Sequence, residues 1–143
     1  MATANAATNY LERRLLHYIF KNDSLTFNTP GDSIYVGLAT AGSAAETGSL
    51  TEATFTNYAR QQVPASGWTT IGADSTDTQT AKNTAAISFP ASGGTNNTIT
   101  HVFIADAASS GNILFVGALD ASKTIESGDI FRINATNLTI ELK

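Results

Sequence analysis

The run from Ile99 to Leu119 constrains the fold more than any other part of the chain. Its first arm alternates Ile99, His101, Phe103 and Ala105 with Thr100, Val102, Ile104 and Asp106. Its second arm sets Ile113, Phe115, Gly117 and Leu119 against Leu114, Val116 and Ala118. Both arms carry apolar residues on both faces, which is the pattern of strands buried on two sides. Between them, Ala107 to Asn112 is a small-residue run ending in Gly111-Asn112, suited to the positive φ angles of a tight reversal. The pattern predicts a β-hairpin at the centre of the fold.

The rest of the chain is read outward from that hairpin. Residues 1–8 hold no large apolar residue besides Met1 and are expected as a flexible arm or an extended contact segment. Asn9 with Glu12 three residues later resembles a capping box, and a helix is predicted over 9–22. Leu11, Leu15, Tyr18 and Ile19 share one face of it, with Arg13, His17 and Lys21 opposite and Arg14 at the border. Such a short helix is marginal alone and must dock, either on its own β-domain or on a neighbouring subunit.

Beyond it the period becomes alternating. Strands are predicted at Ser33–Ala39, entered through Pro30-Gly31-Asp32, at Phe55–Val63, at Gly67–Ile71, at Thr84–Phe89, and at Ile130–Ile133 with Leu138, Ile140 and Leu142. Residues 40–54, 74–82 and 91–97 read as loops. The sum is an all-β chain: an antiparallel β-sandwich, with a jelly roll as one form of it, of about eight strands plus one N-terminal helix. With 143 residues the chain is long enough for one well-buried domain, over 9–143.

Composition excludes several classes. With no cysteine there are no disulfides, thiolate metal sites or cysteine nucleophiles. Only 14% of residues are charged, against about 25% in typical domains, and Thr, Ser, Asn, Ala and Gly stand in their place. The eight Lys and Arg, within a net charge of −4, argue against a nucleic-acid face. No apolar run is long enough to span a membrane, and the polar N-terminus lacks a signal-peptide pattern, so folding in a cytoplasm is expected.

Little in the chain points to catalysis. His17 and His101 lie in no metal-ligand spacing. His101 with Asp106 is the best catalytic pair on paper, yet no nucleophile elbow accompanies it, and His101 reads as a hydrogen-bonded structural residue. Asp74, Asp77, Asp120, Glu126 and Asp129 fall mostly in turns, where carboxylates accept local N–H groups. No cofactor is expected. Leu11, Arg13, Arg14, Leu15, His17, Tyr18 and Trp68 remain as candidate partner-interface residues.

Several stretches in order then carry a resemblance. They are Asn9-Tyr10-Leu11-Glu12 with Leu15-Leu16, Tyr35-Val36-Gly37-Leu38-Ala39-Thr40, Tyr58-Ala59-Arg60, Ile87-Ser88-Phe89-Pro90, Thr100-His101 and Ile104-Ala105-Asp106-Ala107. Gly111-Asn112-Ile113-Leu114, Gly117-Ala118-Leu119, Lys123-Thr124-Ile125 and Ser127-Gly128-Asp129 follow. The ordered set resembles a family of small tailed-phage virion proteins, described variously as tail fibre, minor tail or capsid cement proteins. Where that family often has Trp-Gly before Thr100-His101, this chain has Asn96-Asn97-Thr98-Ile99.

The resemblance implies a non-enzymatic virion protein that forms homo-oligomers, trimers among them, and binds other virion proteins. The first expectation is a capsid cement protein over junctions of the major capsid protein, a multivalent clamp on the head surface. The second is a tail fibre or tail-tip protein, one that could bind host glycan. A glycan hydrolase is the third and least favoured, because no carboxylate pair stands out.

Overall fold

The structure, a computed structural model, describes residues 2–4, 6–21, 34–42, 47–69 and 79–142. The hairpin forms as its alternation requires: β8 (Asn97–Ala105) and β9 (Ile113–Ile125) run antiparallel, from Asn97 opposite Ile125 to Ala105 opposite Ile113. Along the other side of β8 lies β3 (Ile34–Gly42), with Val36 opposite Ile104 and Leu38 opposite Val102. With a strand on each side, β8 buries every residue from Val102 to Ala105.

Two cores result. Val36, Leu38, Val102, Ile104 and Leu114 join the main one, while Ala39, Phe103, Ala105 and Val116 form a small cluster of their own. A second sheet, of β7 (Ile87–Ser88) and β10 (Arg132–Ile133), contributes Ile87 and Ile133 to the main core. Phe55, Tyr58, Phe89 and Phe131 form a chain of ring contacts in this region, with centroids 5.3, 6.2 and 5.9 Å apart in sequence. Such pairs add about 0.5–1.5 kcal/mol each beyond area burial. The fold is all-β and sandwich-like with one helix, as the alternation predicts. Eleven strands appear among the described residues rather than about eight, because several are only two or three residues long.

The N-terminal residues join the sheet. Of the two expectations, a flexible arm or an extended contact segment, it is the second that appears: Ala2–Ala4 (β1) pair parallel with β11 (Leu138–Leu142), and Ala2 also faces Leu119 of β9. Ala6–Ala7 (β2) continue along β9 opposite Val116 and Phe115. In the sheet β1 is the strand between β9 and β11, beyond which lies β6 (Gln79–Lys82). A strand whose backbone groups are paired on both sides needs no large side chain, so an absence of apolar residues is a poor sign of mobility.

Thr8 turns the chain from β2 into α1 (Asn9–Lys21). Its N–H donates to Leu114 O at 3.0 Å and its hydroxyl to Ile113 O at 2.7 Å, while its Oγ1 accepts the Leu11 N–H at 3.4 Å. The helix cap is thus Thr8, one residue before the expected Asn9.

Other boundaries also shift. Residues 40–54 hold the end of β3 and β4 (Leu50–Glu52), which pair antiparallel; residues 43–46 of the expected loop lie outside the described residues. Of the strand expected over Phe55–Val63, only β5 (Gln61–Val63) pairs, on Ile34–Val36. Gln79–Lys82, expected as loop, is β6, paired with β11. Trp68 makes a single bridge to Asn83 after a 3₁₀ turn at Ala65–Gly67. The Pro30-Gly31-Asp32 turn, Asp74 and Asp77 fall outside the described residues.

Gly37 shows how tightly the small cluster is packed. A Cβ built there would lie 2.2 Å from Phe103 Cζ, so the Phe103 ring lies across the glycine. Gly37→Ala is expected to cost about 1–3 kcal/mol, as overpacking does. The urea midpoint should fall with the slope unchanged, and Phe103→Leu should recover part of the loss.

Candidate functional site

The tip of the β8–β9 hairpin is where side chains from distant parts of the chain converge. Asp106 follows β8, and its Oδ1 accepts the Asn112 N–H at 2.7 Å while its Oδ2 accepts from Asn112 Nδ2 at 2.8 Å. Gly111 completes the reversal with φ +71°, and a Cβ there would lie 2.6 Å from Asp106 Oδ1. Only glycine meets both demands cheaply.

Arg60 clamps this tip. Its Nη1 donates to Ala107 O and to Ser110 O, each at 2.8 Å. On its other side Nε and Nη2 donate to Glu52 Oε1 and Oε2, both at 2.8 Å, a two-pronged carboxylate fork. The guanidinium also lies 5.0 Å from the centre of the Phe103 ring, within cation–π range. The Arg60 side chain is only 5% exposed, against 31% for Glu52.

Tyr58 links the pair to the sheet. Its hydroxyl donates to Glu52 Oε1 at 2.8 Å and accepts the Leu38 N–H at 3.0 Å. Leu38 O in turn accepts the Ala53 N–H at 2.8 Å. Leu38 sits where β3 has finished pairing with β5 and not yet begun with β4, so the phenol satisfies an amide the ladder leaves open. These side-chain bonds account for residues 58–60 departing from a strand.

Charge states follow from the same contacts. Burial on its own would raise Glu52, but the hydrogen bonds from Arg60 and Tyr58, with the Arg60 charge, outweigh it and hold the carboxyl below its usual value. The Glu52 hydrogen bond raises Arg60, with burial opposing it. Burial raises Tyr58, the Leu38 N–H opposes it and Glu52 adds to it, so the phenol stays a donor.

The interface residues expected from sequence lie elsewhere. Leu11 enters the main core, and Tyr10, Leu15 and Trp68 are half-buried against it, so the first part of the helix stripe docks on its own β-domain. Arg13 is exposed, and Arg14 and His17 are half-buried. The end of α1 is different: Leu16, Tyr18, Ile19 and Phe20 are all exposed, Phe20 by 74%.

The paper pairing of His101 and Asp106 is not assembled, because each is engaged separately: His101 Nδ1 lies 2.8 Å from Thr100 Oγ1, and Asp106 holds Asn112. Among the described residues no three His, Asp or Glu gather where a metal could sit. No helix among them is long and apolar enough to cross a membrane. Sequence reasoning misses Glu52 and the role of Arg60, although Tyr58-Ala59-Arg60 and Ile104-Ala105-Asp106-Ala107 both belong to the stretches that carry the resemblance. The pairing of a tyrosine with one of only four arginines, in Tyr58-Ala59-Arg60, was the available signal.

Removing Arg60 should leave Glu52 partly buried and unpaired. Arg60→Ala is expected to cost about 3 kcal/mol, and Glu52→Gln less, since the amide oxygen still accepts. Because the folded carboxyl lies below its ordinary 4.5, its contribution is complete above that value and lost as pH falls through the folded one. Urea midpoints measured between about pH 5 and pH 3 should therefore fall more steeply in the native protein than in Glu52→Gln.

Comparison with known proteins identifies a family for the chain. No curated protein matches it. The model of the family described as Podophage GP4 fiber I protein gp80 matches residues 6–141, which takes in α1, every strand from β2 to β10, most of β11 and the whole Arg60 cluster. With a match of that extent, the chain belongs to the podophage GP4 fiber I protein gp80 family and is a structural protein of the phage virion.

Proposed function

We propose that the chain is a non-catalytic component of a podophage fibre that self-associates, as a trimer, and meets other virion proteins through the end of α1. The observation that carries the fibre reading is the family's own description as a fiber protein. It favours the tail over the capsid cement role expected first from sequence. A cement protein on the major capsid protein would need the same kind of repeated, modest contact, so location is what separates the two.

The non-catalytic part is supported by where the ionisable groups go. Arg60, Glu52 and Asp106 are spent on holding the hairpin tip. The assembly part is supported by Leu16, Tyr18, Ile19 and Phe20, four large apolar side chains 54–74% exposed at one end of a helix. Large apolar side chains left exposed together at a helix end are a common mark of an interaction site. Arg13 and Lys21 on the same helix, in a chain of net charge −4, add attraction for an acidic partner surface such as a second copy presents.

Gold-labelled antibody on intact particles should mark tails, in few copies per particle; label over the head at numbers near those of capsid subunits would overturn the fibre reading. Replacing Ile19 and Phe20 by Ser should convert the oligomer to monomer in analytical ultracentrifugation. Monomer stability should change by no more than about 0.5 kcal/mol, since both side chains are at the surface. An oligomer that survives the double replacement would rule out α1 as its interface.

A further inference from the structure

We propose that the cleft between β9 and the segment entering β10 takes up an extended segment of another protein as an added strand, with apolar residues on one face and a carboxylate on the other. The cleft measures about 480 Å³, with Leu119, Ala121 and Lys123 on one side and Ile130, Phe131 and Arg132 on the other. That volume lies in the range of binding clefts. No residue of α1 lines it, so it is a different surface from the exposed helix end.

The cleft lies where the ladder of the central hairpin breaks. Ile99 is opposite Lys123 and His101 is opposite Ala118, so Thr100 alone on β8 spans the four residues Leu119 to Ser122 of β9. One residue against four is a large bulge, which bends its strand and leaves the extra residues out of the ladder. On the other side of β9, β1 meets it at Leu119. Among the described residues, Ala121 and Ser122 therefore have a register partner in neither neighbouring strand, and both are exposed. Across the cleft, β10 pairs with β7 along one side and, among the described residues, with no strand along the other.

Open strand backbone is a template for a further strand. The backbone of Ala121 and Ser122, left out of the hairpin ladder, is what an incoming extended segment can bond. The side chains of such a segment alternate between two faces, and the lining sets what each face carries. Leu119 is half-buried and Phe131 buried, so they form an apolar floor, with Ile130, 57% exposed, as an apolar wall. At the rim stand Lys123 and Arg132, both exposed, two of the eight Lys and Arg in the chain.

Charge then selects the partner. The chain carries a net charge of −4, yet among the lining residues two cations stand against one carboxylate, Asp120. Asp129, next to Ile130, is turned to its own loop, where it accepts the Glu126 N–H at 3.0 Å. The cleft is a locally cationic stretch on an acidic chain. A carboxylate on the outer face of an incoming strand is drawn to it, and a lysine there is repelled.

The test is amide NMR with hydrogen exchange on the full chain, titrated with the capped peptide acetyl-Thr-Val-Glu-Val-Thr-amide and with its glutamine counterpart. The glutamate peptide should shift the Ala121, Ser122 and Arg132 amides saturably. It should also slow exchange at Ala121 or Ser122, which contact through side chains alone would not do. The glutamine peptide should bind about fivefold more weakly, as loss of an exposed ion pair implies, and the gap should close near about 0.5 M salt through screening. Lys123→Ser with Arg132→Ser, both at the surface, should close the same gap. Ala121→Trp, also at an exposed position, should fill the cleft and remove binding of both peptides while leaving the rest of the spectrum in place. Strand addition is overturned if neither peptide gives a saturable shift, if exchange slows at neither amide, or if binding survives Ala121→Trp. The acidic partner is overturned if the two peptides bind equally at low salt, or if the gap survives the double replacement. Peptide binding should be unchanged when Ile19 and Phe20 are replaced by Ser, so failure of the cleft leaves the α1 interface standing.

Discussion

The guanidinium of Arg60 joins parts of the chain that have no other reason to meet. It donates to two carbonyls at the hairpin tip, to both oxygens of Glu52 on β4, and lies over Phe103 of β8. A lone buried cation would be costly, and a half-satisfied one nearly as much, so the arrangement holds only because its partners are in place together. Phe103 can lie beneath the arginine only because Gly37 leaves room for its ring. The strand pairing, the small second core and the charged fork therefore depend on one another.

The N-terminal strand plays the matching role at the other side of the sheet. Within the described residues, β1 is what lies between β9 and β11, and Thr8 then ties the start of α1 to Ile113 and Leu114 by two hydrogen bonds, through its hydroxyl and its N–H, while its Oγ1 caps the helix at Leu11. These contacts use backbone and one hydroxyl rather than apolar bulk. Alanine and threonine suffice there because the gain comes from satisfied amides in a sheet interior. The helix, in contrast, packs by one face: Leu11 is buried, while Phe20, on the opposite face at helical spacing, is the most exposed of its large apolar residues.

A third junction repeats the logic of the first. Asn83 is fully buried, accepts the Leu138 N–H at 2.9 Å and donates to Ala85 O and Asn134 O at 2.8 and 2.9 Å. One amide side chain thereby holds the end of β6 to the segment between β10 and β11. Asn97 does likewise for the turn after β4, its Oδ1 accepting from Thr54 and Phe55 N–H. In a chain with few charges and no cysteine, buried amides and one arginine do the cross-linking that ion pairs or disulfides do elsewhere.

The sequence by itself determined the β-hairpin, the all-β class, the helix and the ordered stretches that mark the phage family. Each of these is written in local periodicity or in short runs of neighbouring residues, where the physical cause lies within a few positions. Tyr58-Ala59-Arg60 and Asp106 to Asn112 were visible as stretches, but nothing local says that they touch. Only the tertiary structure decided that Arg60 reaches Ser110, 50 residues on, that Asn83 holds Leu138, 55 residues on, and that an alanine-rich start enters the middle of a sheet. The reason is that these contacts satisfy groups left open by strand pairing, and which groups are left open is known only once the strands have found their partners.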